Sequence, residues 1–552
     1  MIADIHITEK SFGDKTLMKD VKFSVDDGEK VGVVGRNGVG KSTLFGILSG
    51  KDTDYTGEVV FRRGITVATT AQEHHGLGDQ TVMSYILGGL PEYSKLKKII
   101  DEYPLTMGDN MRKIEEYTQA LERFDQKGFY QVEEKIEREL SNFQLDGYGN
   151  RKISSLSGGQ KRLVEIVKIM HSEAHLALID EPTNHMDYVA KQQFIDWMNS
   201  QPHQAMLIIT HDRDVLGQVD RIVEIKDGQA VSYRGNYDAY LKQNAQATTA
   251  GMNNFEQIEK RIVNLKQKVL DYQRLKEKSR NPGTIQKFKR LENEARAELE
   301  ELSEMEKPTF WIDKESASQL DYKSAERYGK FKSRNIRLSM KDASSRSQHV
   351  LVRAENVAVG ISERILFEDV NIDLREGEAI EIRGRNGAGK TTLIRMILAS
   401  GKSFDGGPVL YSGDIFLDPQ VRIGVYEQEI DERYLSDPLE KAIEKLYMSR
   451  DLSISDTKIR QLLADYLFTD ADRMTPLARL SGGQKARFQI IAMLANDPQL
   501  LVLDEPTNHL DLPSIEELET ALVKYSGAIL YVSHDNYFRE KLGGKVVQIG
   551  AE

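Results

Sequence analysis

The stretch VGVVGRNGVGKSTL at residues 31–44 decides the fold. Val31, Val33 and Val34 form a β-branched run, the pattern of a buried strand. Gly35, Arg36, Asn37, Gly38, Val39, Gly40, Lys41 and Ser42 then match G-x-x-x-x-G-K-[ST], and an apolar-periodic helix follows through Thr43. Glycines at these places let backbone N–H groups close around phosphates, and the helix N-terminus adds positive potential. Lys41 is expected to reach the β- and γ-phosphates and the Ser42 hydroxyl to ligate Mg²⁺. Strand, loop and helix in this order predict an α/β nucleotide-binding domain.

The same reading applies a second time. IEIRGRNGAGKTTL at 380–393 carries Gly384, Arg385, Asn386, Gly387, Ala388, Gly389, Lys390, Thr391 and Thr392 in the corresponding places. LSGGQKR at 156–162 returns as LSGGQKAR at 480–487, LIDEPTNHMD at 178–187 as VLDEPTNHLD at 502–511, and ITHD at 209–212 as VSHD at 532–535. Four motifs in one order mean two copies of one domain. We expect them at 1–240 and 346–552, with a different segment at 241–345. Asp180 and Asp504 end apolar strand patterns and are placed to hold Mg²⁺, while Glu181 and Glu505 suit a general base for an attacking water. His211 and His534 follow matching strands and suit γ-phosphate contact; Gln72 and Gln428 suit orientation of water or Mg²⁺.

The intervening segment has helical spacing. Phe255, Ile258, Ile262, Leu265, Val269 and Tyr272 form one apolar stripe, and Ile285, Phe288, Leu291, Ala295, Leu299 and Leu302 a second. Arg280-Asn281-Pro282-Gly283 breaks them, which predicts an antiparallel helical hairpin roughly 40 Å long. Its tip is basic: Arg274, Lys276, Lys278, Arg280, Lys287, Lys289 and Arg290 stand against Glu277 alone, in a chain of net charge −11. Positive charge gathered at one end suits phosphate contact with RNA. The overall acidity argues against a protein that coats nucleic acid with its whole surface. There is no cysteine, which excludes disulfides and thiolate metal sites and fits a reducing, cytoplasmic setting. MIADIHITEK does not read as a signal peptide, and no run approaches the roughly 20 apolar residues of a membrane span.

Together these residues resemble the ATP-binding cassette superfamily, whose most specific mark is LSGGQ at 156–160 and 480–484. The resemblance implies two P-loop cassettes and two ATP sites, each capped by the signature of the opposite cassette. One would join Gly35–Thr43, Gln72, Asp180, Glu181 and His211 with Ser481, Gly482, Gly483 and Gln484. The other would join Gly384–Thr392, Gln428, Asp504, Glu505 and His534 with Ser157, Gly158, Gly159 and Gln160. Phe12 holds the adenine-stacking place 29 positions before Lys41; the same place before Lys390 is Ile361, so stacking is expected to differ between the sites. The finer resemblance is to the ABC-F subfamily: fused cassettes, a charged helical linker, and DEPTNH-[LM]-D in both copies. An arm insertion, about 90–150 here, is another of its features; Gln72 to Ser157 is 32 positions longer than Gln428 to Ser481. The subfamily resemblance implies a monomeric ATPase with intramolecular cassette pairing, acting on the ribosome near the exit site, large-subunit RNA and peptidyl-site tRNA, as a translation factor or in antibiotic resistance. A transport ATPase serving a separate membrane subunit, or a DNA-associated ATPase, would be the rival classes.

Overall fold

Strands buried along their whole length need cover on both faces, which parallel sheets flanked by helices supply. Lys30–Val34, Leu176–Asp180 and Ala205–Ile209 are buried at every position, as are Leu500–Asp504 and Ala528–Val532. The computed structural model describes residues 1–13, 15–70, 79–106, 108, 110–184, 186–303, 305, 307–320, 322–338, 349–361, 364–402, 407–427 and 430–550. It divides into Met1–Tyr237 with Ile336–Glu552 as one compact unit, and Asp238–Asn335 as another.

The first unit holds both cassettes. In the first cassette the main sheet runs Val67–Thr69, Leu176–Asp180, Ala205–Ile209, Lys30–Val34, Arg221–Lys226 and Gln229–Arg234, parallel until the last, antiparallel pair. In the second it runs Ile423–Tyr426, Leu500–Asp504, Ala528–Val532, Ala379–Arg383 and Lys545–Gln548, parallel throughout. The phosphate-loop strand neighbours the histidine-bearing strand, which neighbours the acidic strand, so the three motifs end at one rim of each sheet. A three-stranded antiparallel sheet accompanies each: Ala3–Phe12 between Lys15–Val25 and Thr56–Phe61, and Val350–Ile361 between Arg364–Arg375 and Pro408–Leu417.

Between the sheet and the signature helix the cassettes differ. The first carries Tyr93–Thr106, Met111–Gln126 and Val132–Asn142. Tyr93, Phe124 and Phe129 pack there edge to face, with Tyr93–Phe129 and Phe124–Phe129 centroids 5.3 Å apart. The second has the shorter Leu439–Met448 and Asp456–Asp465.

The second unit is built on a hairpin of Tyr237–Lys278 and Pro282–Ser303. Leu265, Val269 and Ala295 bury its seam, and Tyr272 stacks on Phe288 at 6.3 Å. Arg261–Glu298 and Lys276–Glu292 ion pairs, at 2.7 and 2.6 Å, tie the helices together. The first helix, of 42 residues, is longer than its apolar stripe, at roughly 60 Å. Phe255 packs not on the returning helix but on Phe331, within a cluster of Met252, Ile312 and Tyr328.

Candidate functional site

Each phosphate loop is shaped by glycine where other residues cannot go. Gly40 and Gly389 take φ of 101° and 99° just before the helices Lys41–Leu48 and Lys390–Leu398, and a Cβ on Gly40 would meet Leu17 Cδ2 at 2.7 Å. Lys41 Nζ donates to the carbonyls of Gly35 and Arg36 at 2.7 and 3.2 Å. Lys390 repeats this with Gly384 and Arg385 at 2.9 and 3.1 Å. Both ammonium groups thus sit inside their own loops, where burial lowers their pKa. Ser42 Oγ donates to Asp180 Oδ2 at 3.1 Å and Thr391 Oγ1 to Asp504 Oδ2 at 2.7 Å. A hydroxyl beside a carboxylate is the hard oxygen pair that Mg²⁺ takes from a protein when phosphates and water complete its shell, so the residues fit that ion.

Glu181 and Glu505 turn the chain directly after the acidic strands with φ of 47° and 52°, a left-handed conformation that costs a non-glycine residue about 1–3 kcal/mol. Their N–H groups donate to Ile209 and Val532 at 2.7 and 3.0 Å, which fixes the turns. Burial raises both carboxyls, Glu505 to about 7 with help from Asp504. His534 Nε2 lies 3.2 Å from Glu505 Oε1, whereas His211 Nε2 is 3.6 Å from Glu181. Burial and the facing lysine keep both imidazoles neutral, His534 at about 3.

The cassettes meet at these loops. Asp511 accepts from the Asn37 backbone N–H at 3.1 Å, and Asp187 from the Asn386 N–H at 3.0 Å. Each aspartate also caps its own helix, at Ser514 N and Ala190 N. These two side chains were not among the residues singled out from the sequence. Their recurrence at the end of DEPTNH-[LM]-D, just before a helix, is the signal that marks them. Burial opposes their charge, but the donated N–H groups outweigh it and hold both carboxyls below their ordinary value.

The signatures face the opposite loops. Ser157 and Ser481 cap the helices Gly158–His171 and Gly482–Leu494, each in a capping box with Gln160 or Gln484. A cavity of about 1120 Å³ joins Ser157, Gly158, Gly159 and Gln160 to Gly387, Lys390, Thr391 and Thr392. Across the pseudo-symmetric junction, Asn37 Nδ2 donates to the His509 carbonyl at 2.9 Å, and a Cβ on Gly483 would lie 2.0 Å from that nitrogen. The signature of the second cassette is therefore pressed against the first phosphate loop. Arg36, Gly38, Val39, Thr43, Ala388 and Gly482 lie in these same segments. Ile361 and Glu505 line the cavity too, Ile361 being 48% exposed. Phe12 ends its strand 57% exposed, with Lys10 Nζ 4.8 Å from its ring centroid. Gln72 and Gln428 lie outside the described residues.

In the second unit, Arg274, Lys278, Arg280, Lys287 and Lys289 are exposed and, among the described residues, form no ion pair. Lys276 is held by Glu292 and Arg290 by Glu294, the latter at 3.2 Å. Among the described residues no helix is long and apolar enough to cross a membrane.

A family model described as ABC transporter matches residues 18–184 and 367–508. The chain is 29% identical to ABC transporter F family member 2 of Arabidopsis thaliana, over 98% of this chain and 75% of that protein. It is 28% identical to Energy-dependent translational throttle protein EttA of Mycobacterium tuberculosis, over 96% and 88%. It is 27% identical to Ribosome protection protein VmlR of Bacillus subtilis, over 96% and 83%. Among solved structures it shares its fold with a chain in the crystal structure of the complex of archaeal ribosomal stalk protein aP1 and archaeal ribosome recycling factor aABCE1. That match has a TM-score of 0.59 and 17% identity, over 99% of this chain and 87% of that one.

Proposed function

This chain belongs to the ATP-binding cassette family and, within it, to the ABC-F tandem-cassette ATPases, and on that premise we propose that it is a cytoplasmic, monomeric translation factor whose closed form docks on the ribosome. The observation that carries the ATPase half of this reading is the pair of reciprocal contacts, Asp187 to Asn386 and Asp511 to Asn37, which seat each cassette's acidic motif on the other's phosphate loop. The proposed domain limits are 1–240, 241–345 and 346–552, with an arm at about 90–150.

In this mechanism Lys41 and Lys390 leave their loop carbonyls to meet the β- and γ-phosphates, and the loop N–H groups take the remaining oxygens. Ser157 and Ser481 donate to γ-phosphate oxygens from helix N-termini, where positive potential stabilises developing charge. Ser42 with Asp180, and Thr391 with Asp504, would hold Mg²⁺, with Gln72 and Gln428 orienting that ion or a water. When bound, Mg²⁺ would supply positive charge that offsets the charge developing on the phosphate oxygens. Glu181 and Glu505 accept the proton of the attacking water; a value near 7 suits Glu505 for this, since a base works best close to ambient pH. Neutral His211 and His534 donate to the γ-phosphate. Phe12 stacks on adenine in the first site, and Ile361 offers only an apolar edge in the second. Hydrolysis removes the γ-phosphate that both halves share, and the cassettes reopen.

Two observations support the ribosome half. The hairpin gathers at one end five exposed basic side chains that form no ion pair among the described residues, a phosphate-seeking surface. EttA and VmlR, matched over nearly the whole chain, carry names that tie them to translation and ribosome protection. Large-subunit RNA and peptidyl-site tRNA near the exit site are the proposed contacts. The test is sedimentation of the Glu181→Gln/Glu505→Gln double variant with ATP. It is expected to accumulate on ribosomes and slow translation; ribosome fractions lacking it would overturn this role, and accumulation on a membrane subunit instead would favour a transport ATPase.

A further inference from the structure

The two ATP sites share their chemical residues, but the groups that brace them differ. Lys191 lies four residues after Asp187, on the helix Tyr188–Ser200; the corresponding residue after Asp511 is Ile515. Lys191 is 4% exposed, and its Nζ donates to the carbonyl of His534 in the other cassette at 2.7 Å. It also reaches Asp214 at 2.5 Å and Asp212 at 3.3 Å. Asp214 in turn accepts from Asn536 Nδ2 at 2.7 Å, so His534 and Asn536 are both tied to the first cassette.

A second cross-cassette contact flanks this one. Arg213 donates to the buried Glu519, lies 3.7 Å from Asp535 and places its guanidinium 5.1 Å from the Tyr537 ring centroid. Glu519 is held as well by Lys541 at 2.8 Å. Asp212 and Asp535 are equivalent, but the other charged partners do not recur in the mirror positions: Arg213, Asp214 and Glu519 correspond to Asn536, Tyr537 and Ile195. Among the described residues the His211 ring has no hydrogen-bond partner on either nitrogen, and Ile515 lines the same cavity. The His534 backbone N–H donates to Glu505 Oε2 at 3.2 Å, and the His211 backbone N–H likewise to Glu181, so the two histidines differ at the His534 carbonyl that Lys191 holds.

We propose that Lys191 is a positioning residue for the second-cassette site: from the first cassette it fixes the backbone of His534, so that this histidine is set for the γ-phosphate as the halves close. A buried ammonium with three oxygen partners, two of them carboxylates, is a rigid strut, because releasing the His534 carbonyl would leave one of its N–H donors without an acceptor away from water. Ile515 supplies no such strut, and His211 must be ordered by the nucleotide itself. The consequence is a division of labour. The Glu505–His534 site commits once the cassettes meet, and the Glu181–His211 site follows bound nucleotide. The inference rests on the assignment of Glu181 and Glu505 as the two bases.

Steady-state ATP hydrolysis of Lys191→Met tests it in two backgrounds. Glu181→Gln leaves the Glu505–His534 site active; Glu505→Gln leaves the Glu181–His211 site. The expected result is a kcat about tenfold lower in the first background with KM little changed, and a change under about twofold in the second. Lys191→Arg is expected to recover part of the loss, and thermal melts of the variants to stay close to those of their parents. Equal losses in both backgrounds, or none in the first, would overturn the proposal. If neither Gln variant alone lowers hydrolysis, the assignment of the bases fails before Lys191 is changed, and the proposal falls with it.

Discussion

Glu505 condenses the chemistry of the site into one side chain. Burial first, and the Asp504 charge second, raise its carboxyl from 4.5 to about 7. Between those values the folded molecule keeps a proton that the unfolded chain has released, so stability falls as pH rises through this window, and the penalty persists above it. Glu505→Gln removes the penalty. Without nucleotide, the substitution is expected to leave Tm nearly unchanged at pH 5 and to raise it by about 2–4 °C at pH 8. Melts at the two pH values check this; a gain equal at both, or larger at pH 5, would contradict the buried-carboxylate account. The identity of such residues was legible from the repeat, because a carboxylate pair after an apolar strand recurs behind each phosphate loop. The left-handed turn at Glu181 and Glu505 was not, since φ depends on the neighbouring strand that accepts each N–H. The cross-cassette role of Asp187 and Asp511 is hidden from the sequence for a related reason. Their partners, Asn386 and Asn37, are in the other half of the chain, and local pattern does not report contacts that distant.

At the scale of elements, the hairpin was legible where its seam is apolar and hidden where it is not. Leu265, Val269 and Ala295 gave the period. Upstream, buried Asn244 and Thr248 interrupt it, and Asn244 Nδ2 instead donates to the Trp311 carbonyl at 2.8 Å. Polar residues on a buried face therefore masked the first turns of a helix that begins at Tyr237. The tip yields an element-scale prediction. Lys278 and Lys289 are exposed and outside the ion pairs that fasten the helices, so Lys278→Ala/Lys289→Ala is expected to spare folding. It should weaken binding to ribosomal RNA and reduce the slope of log affinity against log salt by roughly one to two. Filter binding across a salt series reads that slope, and an unchanged one would exclude these lysines from phosphate contact.

For the whole molecule, duplication dictated the architecture and divergence supplied what the repeat could not reveal. Equivalent strands, loops and signature helices follow from equivalent motifs, and the sheets match apart from Gln229–Arg234, which precedes the linker. The bracing of the two sites departs from this symmetry at Lys191, Arg213 and Glu519, where each copy has its own side chain. Such differences are visible in the sequence as mismatches between copies, but only folding gives them partners. The central claim remains that each half completes its neighbour's nucleotide pocket. The most direct measurement is the number of ATP molecules retained per chain by the Glu181→Gln/Glu505→Gln variant under saturating ATP. Two per chain is the predicted result, falling to one when Lys41→Ala is added. One per chain in the double variant itself would contradict the account.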